Sequence, residues 1–263
     1  LYFAAASTFV LADLRVAQGR LHEAVQVYQQ SLARVADQEA ALRPILSHHH
    51  LGLAMLHHEM GAAEPAAQAW QKAREVGRQS VLINWPSRWH RALARRKISA
   101  GEWAAALELL DEAARQYVPN PVPDTEPIAA VKARIHLRQG RLNVAQAWAR
   151  AEGLGADDPL SYMGEYAHLT LARIYLTEFR ENQSAHALAA ARKLLARLLP
   201  AAEAGGRTGR VIEILMLQAL VEQAAGAGEA AQRPFARALT LAQPAGYFRL
   251  LVDEGEAITP LLQ

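Results

Sequence analysis

The chain has 263 residues, of which 51% are apolar but only 6% aromatic, so any core it builds is made of alanine and leucine, thin and close-packed. A formal charge of +2 is far from that of a nucleic-acid tail, and zero cysteines exclude disulfides and thiolate metal sites and fit a cytosolic protein. No run reaches the ~20 apolar residues that span a bilayer, no signal peptide opens the chain, and β-branched runs bounded by turn residues are absent.

In chain order, Leu1–Gln18 and Leu21–Ala36 read as a first amphipathic helix pair turning at Gly19-Arg20. His48–Met60 and Glu64–Val76 follow as a second pair, with Pro65 tolerated in the first turn of its helix. Trp85–Ser99 and Trp103–Tyr117 form the third. Then comes VPNPVPDTEP, Val118–Pro127, whose four prolines exclude helix. It could mark a domain boundary, but the next repeat resumes in register, which favours an inter-repeat loop. Ile128–Gln139 and Leu142–Ala151 are the fourth pair. A loop at Leu154–Pro159 carries Asp157-Asp158-Pro159, a good helix start, ahead of a fifth pair at Ser161–Glu178 and Ser184–Ala202. Gly205–Gly209 reads as a mobile turn before the sixth pair, Arg210–Ala225 and Glu229–Ala242. The remainder, 243–263, reads as a short helical cap. The chain starts at Leu1 without methionine, apparently inside a helix, and so reads as a piece of something longer.

One skeleton runs through these pairs: a small residue, glycine seven residues on, alanine five later, a large residue after four and a small one after three. Ala54, Gly61, Ala66, Trp70 and Ala73 carry it, and Ala12, Gly19, Ala24, Tyr28 and Ser31 repeat it. So do Ala94, Gly101, Ala106, Leu110 and Ala113, and Ala219, Gly226, Ala231, Phe235 and Ala238. Ala133, Gly140, Ala145 and Ala149 match until Glu152 breaks the last position. The glycines step by 42, 40 and 39 residues (19→61→101→140) and then by 86 (140→226), leaving room for one degenerate copy over Leu171–Leu195. There Glu178–Ser184 reads as a longer turn without glycine. A nearly constant period of this kind means a helical solenoid.

Chemistry is sparse. His48-His49-His50 cannot share one metal, because adjacent helical residues point about 100° apart. His50 and His57 could face each other, but no acidic or thiol ligand completes a site. His57-His58-Glu59 lacks the second histidine of HExxH, and the run Gly205–Arg210 lacks the spacing and lysine of a P-loop. No catalytic residue and no metal ligand is therefore assigned. The informative column is the residue after each small residue that opens the skeleton, on the first helix of each pair: Asp13, Met55, Arg95, Arg134, Arg173 and Leu220. Three arginines stack there, and Arg88, Arg91 and Arg95 extend one face of the third first helix. Trp85 and Trp89 start that helix, and Tyr162 and Tyr166 start the fifth. Such a patch suits a carboxylate or phosphate. A solvated face paired with glutamates is the equally open alternative. Trp70, Trp103 and Trp148, on second helices, read as core or convex surface.

The skeleton resembles the tetratricopeptide repeat with a step of about 40 residues rather than the usual 34. Together with AQGRLHEAVQVYQQSL (17–32), IHLRQGRLNVAQAWAR (135–150), LARIYLTEF (171–179) and the closing GYFRLLVDEGEAITPLL (246–262), it is similar to the superhelical sensor domain of MalT-type large LuxR-family transcription activators. The resemblance implies a parent protein with an ATP-binding STAND-type module before this region and a helix-turn-helix after it. ATP and DNA would then be handled by those missing parts, and no cofactor falls to this chain.

The expectation is an all-α, right-handed superhelix of about six tetratricopeptide-like pairs forming a single domain over 1–263, with repeats near 1–36, 48–76, 85–117, 128–151, 161–202 and 210–242. It would serve as a non-catalytic, cytoplasmic module that senses an effector and engages proteins, through self-association or contact with other domains of the parent. Arg88, Arg91, Arg95, Arg134 and Arg173, with Trp85 and Tyr166, would contact the effector. The rival expectation is a stand-alone tetratricopeptide adaptor that holds a peptide or acidic segment in its groove.

Overall fold

The computed structural model describes residues 2–34, 39–78, 80, 83–119 and 124–262, and among them it contains helices and no strand. Leu1, residues 35–36 at the end of the expected second helix, and 120–123 in the proline-rich connector lie outside the described residues. The helices are α1 (Tyr2–Ala17), α2 (Leu21–Arg34), α3 (Glu39–Glu59), α4 (Ala63–Gly77), α5 (Trp85–Ser99), α6 (Trp103–Arg115) and α7 (Ile128–Arg138). They continue with α8 (Leu142–Ala151), α9 (Glu165–Asn182), α10 (Ala185–Ala204), α11 (Thr208–Ala224), α12 (Gly228–Ala245) and α13 (Arg249–Val252), ending in a 3-10 helix at Gly255–Leu261. No helix of the described residues is long and apolar enough to cross a membrane.

The skeleton residues perform the local work. Gly61 adopts φ +72°, and the other four repeat glycines lie between +69° and +76°. At each one the glycine N–H bonds back three residues and the following N–H five, as in Gly61 to His58 and Ala62 to His57. That is the Schellman closure, which needs a left-handed residue and so favours glycine. The small residues at the helix crossings are buried: Ala12, Ala24, Ala54, Ala94, Ala106, Ala145, Ala219 and Ala231 are all at 0% exposure. With only a methyl group there, two helix backbones approach closely, and Leu or aromatic neighbours fill the remaining space. Tyr28 plays the part of Trp70 in the first repeat. It is wedged against Gly52, where a Cβ would stand 2.4 Å from the ring.

Four boundaries differ from expectation. α3 begins at Glu39 rather than His48. α9 begins at Glu165, because the Asp157-Asp158 carboxylates are used otherwise: Asp158 accepts the Gly155 N–H at 2.7 Å and Asp157 pairs with Lys193. The expected long turn at 178–184 is short. α9 continues to Asn182, Gln183 takes the left-handed conformation at φ 54°, and Ser184 caps α10 by accepting the Ala187 N–H at 3.2 Å. The Gly205–Gly209 turn is anchored, since Arg207 donates to Ala201 O at 2.8 Å and to Glu165.

The contacts divide into two compact units rather than one. Unit 1 holds Leu1–Val118 with Ala242–Asp253; unit 2 holds Pro119–Leu241 with Glu254–Gln263. The division falls at the connector read above as an inter-repeat loop. In unit 1 the first helices α1, α3 and α5 pack side by side, each backed by its partner, and α13 lies on α3. In unit 2, α7, α9 and α11 form the corresponding layer, and the 3-10 helix lies on α11. The segment expected as a terminal cap is divided: its second part lies on α11 of the sixth pair, and its first part belongs to unit 1.

Candidate functional site

The expected site residues fall in two walls, one in each unit. In unit 1 the rings of α1, α3, α4 and α5 pack inward: Trp70 and Trp85 belong to the buried core and Phe9 and Trp89 lie half-buried against it, so Trp85, expected at the effector, is a core residue. Phe9, His48, Trp85, Trp89 and Trp70 form a chain of contacts with centroids 5.5–6.2 Å apart, Trp85 and Trp89 being stacked. The Arg88 guanidinium lies 5.8 Å from the Phe9 centroid. His48 and His49 are buried. Burial, reinforced by Arg88 and by His49, pushes the His48 imidazole down to about 3, so it is neutral at physiological pH. Asp13 is reached by solvent, yet enough protein surrounds it that burial raises its carboxyl, an effect that Arg88 and Tyr28 partly offset.

The C-terminal segment completes this wall. Phe248 N–H donates to the Glu59 carbonyl at 3.2 Å, and Leu250 N–H donates to the Glu59 carboxylate at 2.8 Å. Arg95 reaches that carboxylate at 3.4 Å. Ser99 Oγ donates to Asp253 Oδ2 and lies 3.1 Å from His58 Nε2. Arg91 and Arg95 both have partners. The segment was not legible as a wall element, because nothing in its sequence says which helix it lies on.

In unit 2 the arginine column is turned to an internal purpose. Glu213, 2% exposed, is contacted by Arg134 at 2.7 Å, Arg173 at 3.1 Å and Arg210 at 3.1 Å. Glu254 accepts from Arg173 at 2.7 Å and Arg138 at 3.0 Å. Glu165 pairs with Arg207 at 2.8 Å, and Glu126 with Arg210 at 3.0 Å. Burial would raise the Glu213 carboxyl, but the three guanidiniums outweigh it and hold the group far below the ordinary carboxylate range. Glu254 behaves alike under Arg173 and Arg138. Tyr166 is buried, its ring 3.7 Å from the Arg134 guanidinium and 5.1 Å from that of Arg210, while Thr170 accepts from Arg134 Nε at 2.8 Å. Of the two readings left open by the sequence, glutamate pairing describes Arg134 and Arg173, and the pairs are buried rather than solvated. Leu220, expected in the groove, is 1% exposed on a helix covered all round. Glu213 and Glu254 were the missed residues. Glu213 interrupts an apolar run (VIEILML), and a charge where an apolar residue is due was the available signal; Glu254 sits in the acidic stretch DEGE, which gave no such signal.

The other expectations fall out as follows. His50 and His57 line one recess of about 500 Å³, whose walls contain no acidic side chain. Among the described residues no group of three or more His, Cys, Asp or Glu could hold a metal. Trp70 is core, whereas Trp103 and Trp148 are half-buried.

Antiparallel helix pairs, left-handed glycine turns at a fixed spacing and a ladder of buried alanines define a tetratricopeptide-like helical repeat. The chain belongs to the MalT-like TPR region family, whose model matches residues 1–263. No curated protein matches. Among solved structures, the crystal structure of BtubC (BKLC) from P. vanneervenii aligns over 90% of this chain and 93% of that one, at 15% identity and a TM-score of 0.46.

Proposed function

We propose that this chain is the effector-sensing and protein-interaction region of a bacterial LuxR-family transcription regulator, acting in the cytoplasm without catalytic activity. Family membership supports the regulator, and the wall of unit 1 supports the sensing. Arg88, Arg91 and Arg95 contact the effector there, beside the half-buried Phe9 and Trp89, while Trp85 stays in the core. Arg134, Arg173 and Tyr166 instead hold unit 2 together around Glu213. ATP and DNA are handled by modules outside this chain.

The observation that carries the site is the Arg88 guanidinium beside Phe9, at one end of a run of tilted, edge-to-face and stacked ring contacts and within the field of Asp13. A cation next to π-faces suits a flat or sugar-like ligand with an anionic group. The test is a thermal-shift screen against anionic and carbohydrate metabolites. A ligand at 100 times its Kd should stabilise the fold by about 2.7 kcal/mol. A hit that survives Arg88→Gln would move the effector off this wall.

The adaptor reading has one observation in its favour. Residues 248–250 already lie on α3 as a peptide, their backbone N–H groups bonded to Glu59. A flat metabolite screen, with an acidic peptide that binds unit 1 and is lost with Arg88→Gln, would establish that reading instead.

A further inference from the structure

A second feature of unit 1 lies at the Trp70 end of the ring chain. At the α3–α4 turn a recess of about 310 Å³ opens beside the end of α5, a size at the small end of ligand pockets. Gly61, Ala62, Ala63, Ala66, Ala67 and Ala100 give it an apolar floor with no long side chain to fill it. Two cations line it. The Arg96 guanidinium lies 4.9 Å from the Trp70 ring centroid, and among the described residues no carboxylate comes within ion-pair distance of it. Arg249 reaches Asp253 at 3.3 Å through Nη1, while its buried Nε has no hydrogen-bond acceptor. Asp253 is already engaged by Ser99.

Two further donors are unused. Trp70 is 6% exposed and lines the recess, yet its indole N–H has no acceptor. α4 begins at Ala63 with no side-chain cap, so the Ala63 and Glu64 amides have no partner within the helix, and its positive end adds to the two arginines. Glu64 is the acidic residue of that first turn, exposed and bonded to Gln68. A buried donor left without an acceptor, as Arg249 Nε is, costs free energy, and a ligand oxyanion would relieve that cost.

We propose that this recess binds a small organic anion, a carboxylate or phosphate carried on a compact apolar body. Arg96 and Arg249 hold the oxyanion, helped by the start of α4, while the Trp70 ring and the alanine floor take the apolar part. Arg249 belongs to the C-terminal segment, so the ligand competes with Asp253 for its guanidinium. The site is built from residues other than Arg88, Arg91 and Arg95, and stands whether or not the wall binds an effector.

The test uses the whole chain with benzoate and phenyl phosphate as probes, and benzyl alcohol as the uncharged control. Binding is read from the indole N–H signal of Trp70 in a proton–nitrogen correlation spectrum, assigned with Trp70→Phe. The expected result is a saturable shift of that signal with at least one anion and none with benzyl alcohol. The affinity should fall tenfold or more in Arg96→Gln. Ala67→Leu, at an exposed helix position, should fill the recess and abolish the shift while leaving the melting temperature and any ligand of the Arg88 wall unchanged. No saturable shift with either anion, an equal shift with benzyl alcohol, or full binding in Ala67→Leu would overturn the proposal.

Discussion

The two units carry one alanine–glycine skeleton and opposite chemistry on their first-helix walls. In unit 1 the first helices bring Phe9, the neutral His48, Trp85 and Trp89 together over Trp70 of α4. Unit 2 lines its wall with Arg134, Arg138, Arg173, Arg207 and Arg210 around four glutamates, two of them, Glu165 and Glu213, no more than 3% exposed. The skeleton decides where helices cross and turn. Residues one step off it decide whether the first helices pack through rings or through buried ion pairs. An arginine column is therefore not by itself a binding site; acids distant in sequence, such as Glu213 opposite Arg134, determine its use.

The largest test of that contrast is Glu213→Ala. Three guanidiniums would be left around an empty space, and removing one partner of a buried ion network costs about 3–5 kcal/mol. Urea unfolding followed by far-UV circular dichroism should show a loss of that size. Tryptophan fluorescence should change least at the onset, because Trp70, Trp85, Trp89 and Trp103 lie in unit 1 and Trp148 alone in unit 2.

Acid should part the units next. His48 has its folded value pushed down, so its contribution is complete above the unfolded value of 6.5 and is lost as pH falls toward about 3. The slope is about 1.4 kcal/mol per pH unit, or about 2 kcal/mol by pH 5. Glu213 and Glu254 are also held low, but their contribution is lost only below the ordinary carboxylate value of 4.5. Unit 1 should therefore weaken first, with tryptophan fluorescence changing between pH 6 and 5. His48→Phe should flatten that slope; an unchanged slope would remove His48 as its cause.

Two smaller tests address the turn that departs from the glycine pattern. Ser184→Ala removes the cap of α10 and should cost about 1 kcal/mol in chemical denaturation. Gln183→Gly should raise stability by about 0.5–1 kcal/mol, since a side chain in the left-handed region is strained, less what is lost with the Gln183 bond to Phe179 O. A Gln183→Gly variant less stable than the parent would show that this side-chain bond outweighs the strain.

The helical class, the pairing and five of the turns were legible because they rest on local rules: a glycine that closes a helix and small residues at crossings. Gln183 escaped notice because glutamine gives no signal of left-handed backbone, and Asp157-Asp158 misled because their carboxylates serve other donors. The site was legible only as a list of cations. Arg95 and Arg134 occupy equivalent places in the repeat, and the sequence treats them alike. Their surroundings come from Glu59 and Glu213, which no repeat pattern places opposite them. Assigning Arg134 and Arg173 to an effector failed to weigh Glu213, the acid that interrupts an apolar run.

The return of the C-terminal segment has a consequence for the order of events during synthesis. In a repeat array each unit ordinarily needs only its neighbours, and folding can spread from any point. Here Tyr247 donates to the carbonyl of Val16, and Phe248 to that of Glu59, across most of the chain. At about 5–20 residues per second, Glu59 precedes Phe248 by roughly 10–40 seconds on the ribosome. Through that interval α3 carries a bare strip beside Gly61. Unit 1 is thus begun before unit 2 yet cannot be completed until most of unit 2 has been made, which lengthens its exposure to chaperones and proteases.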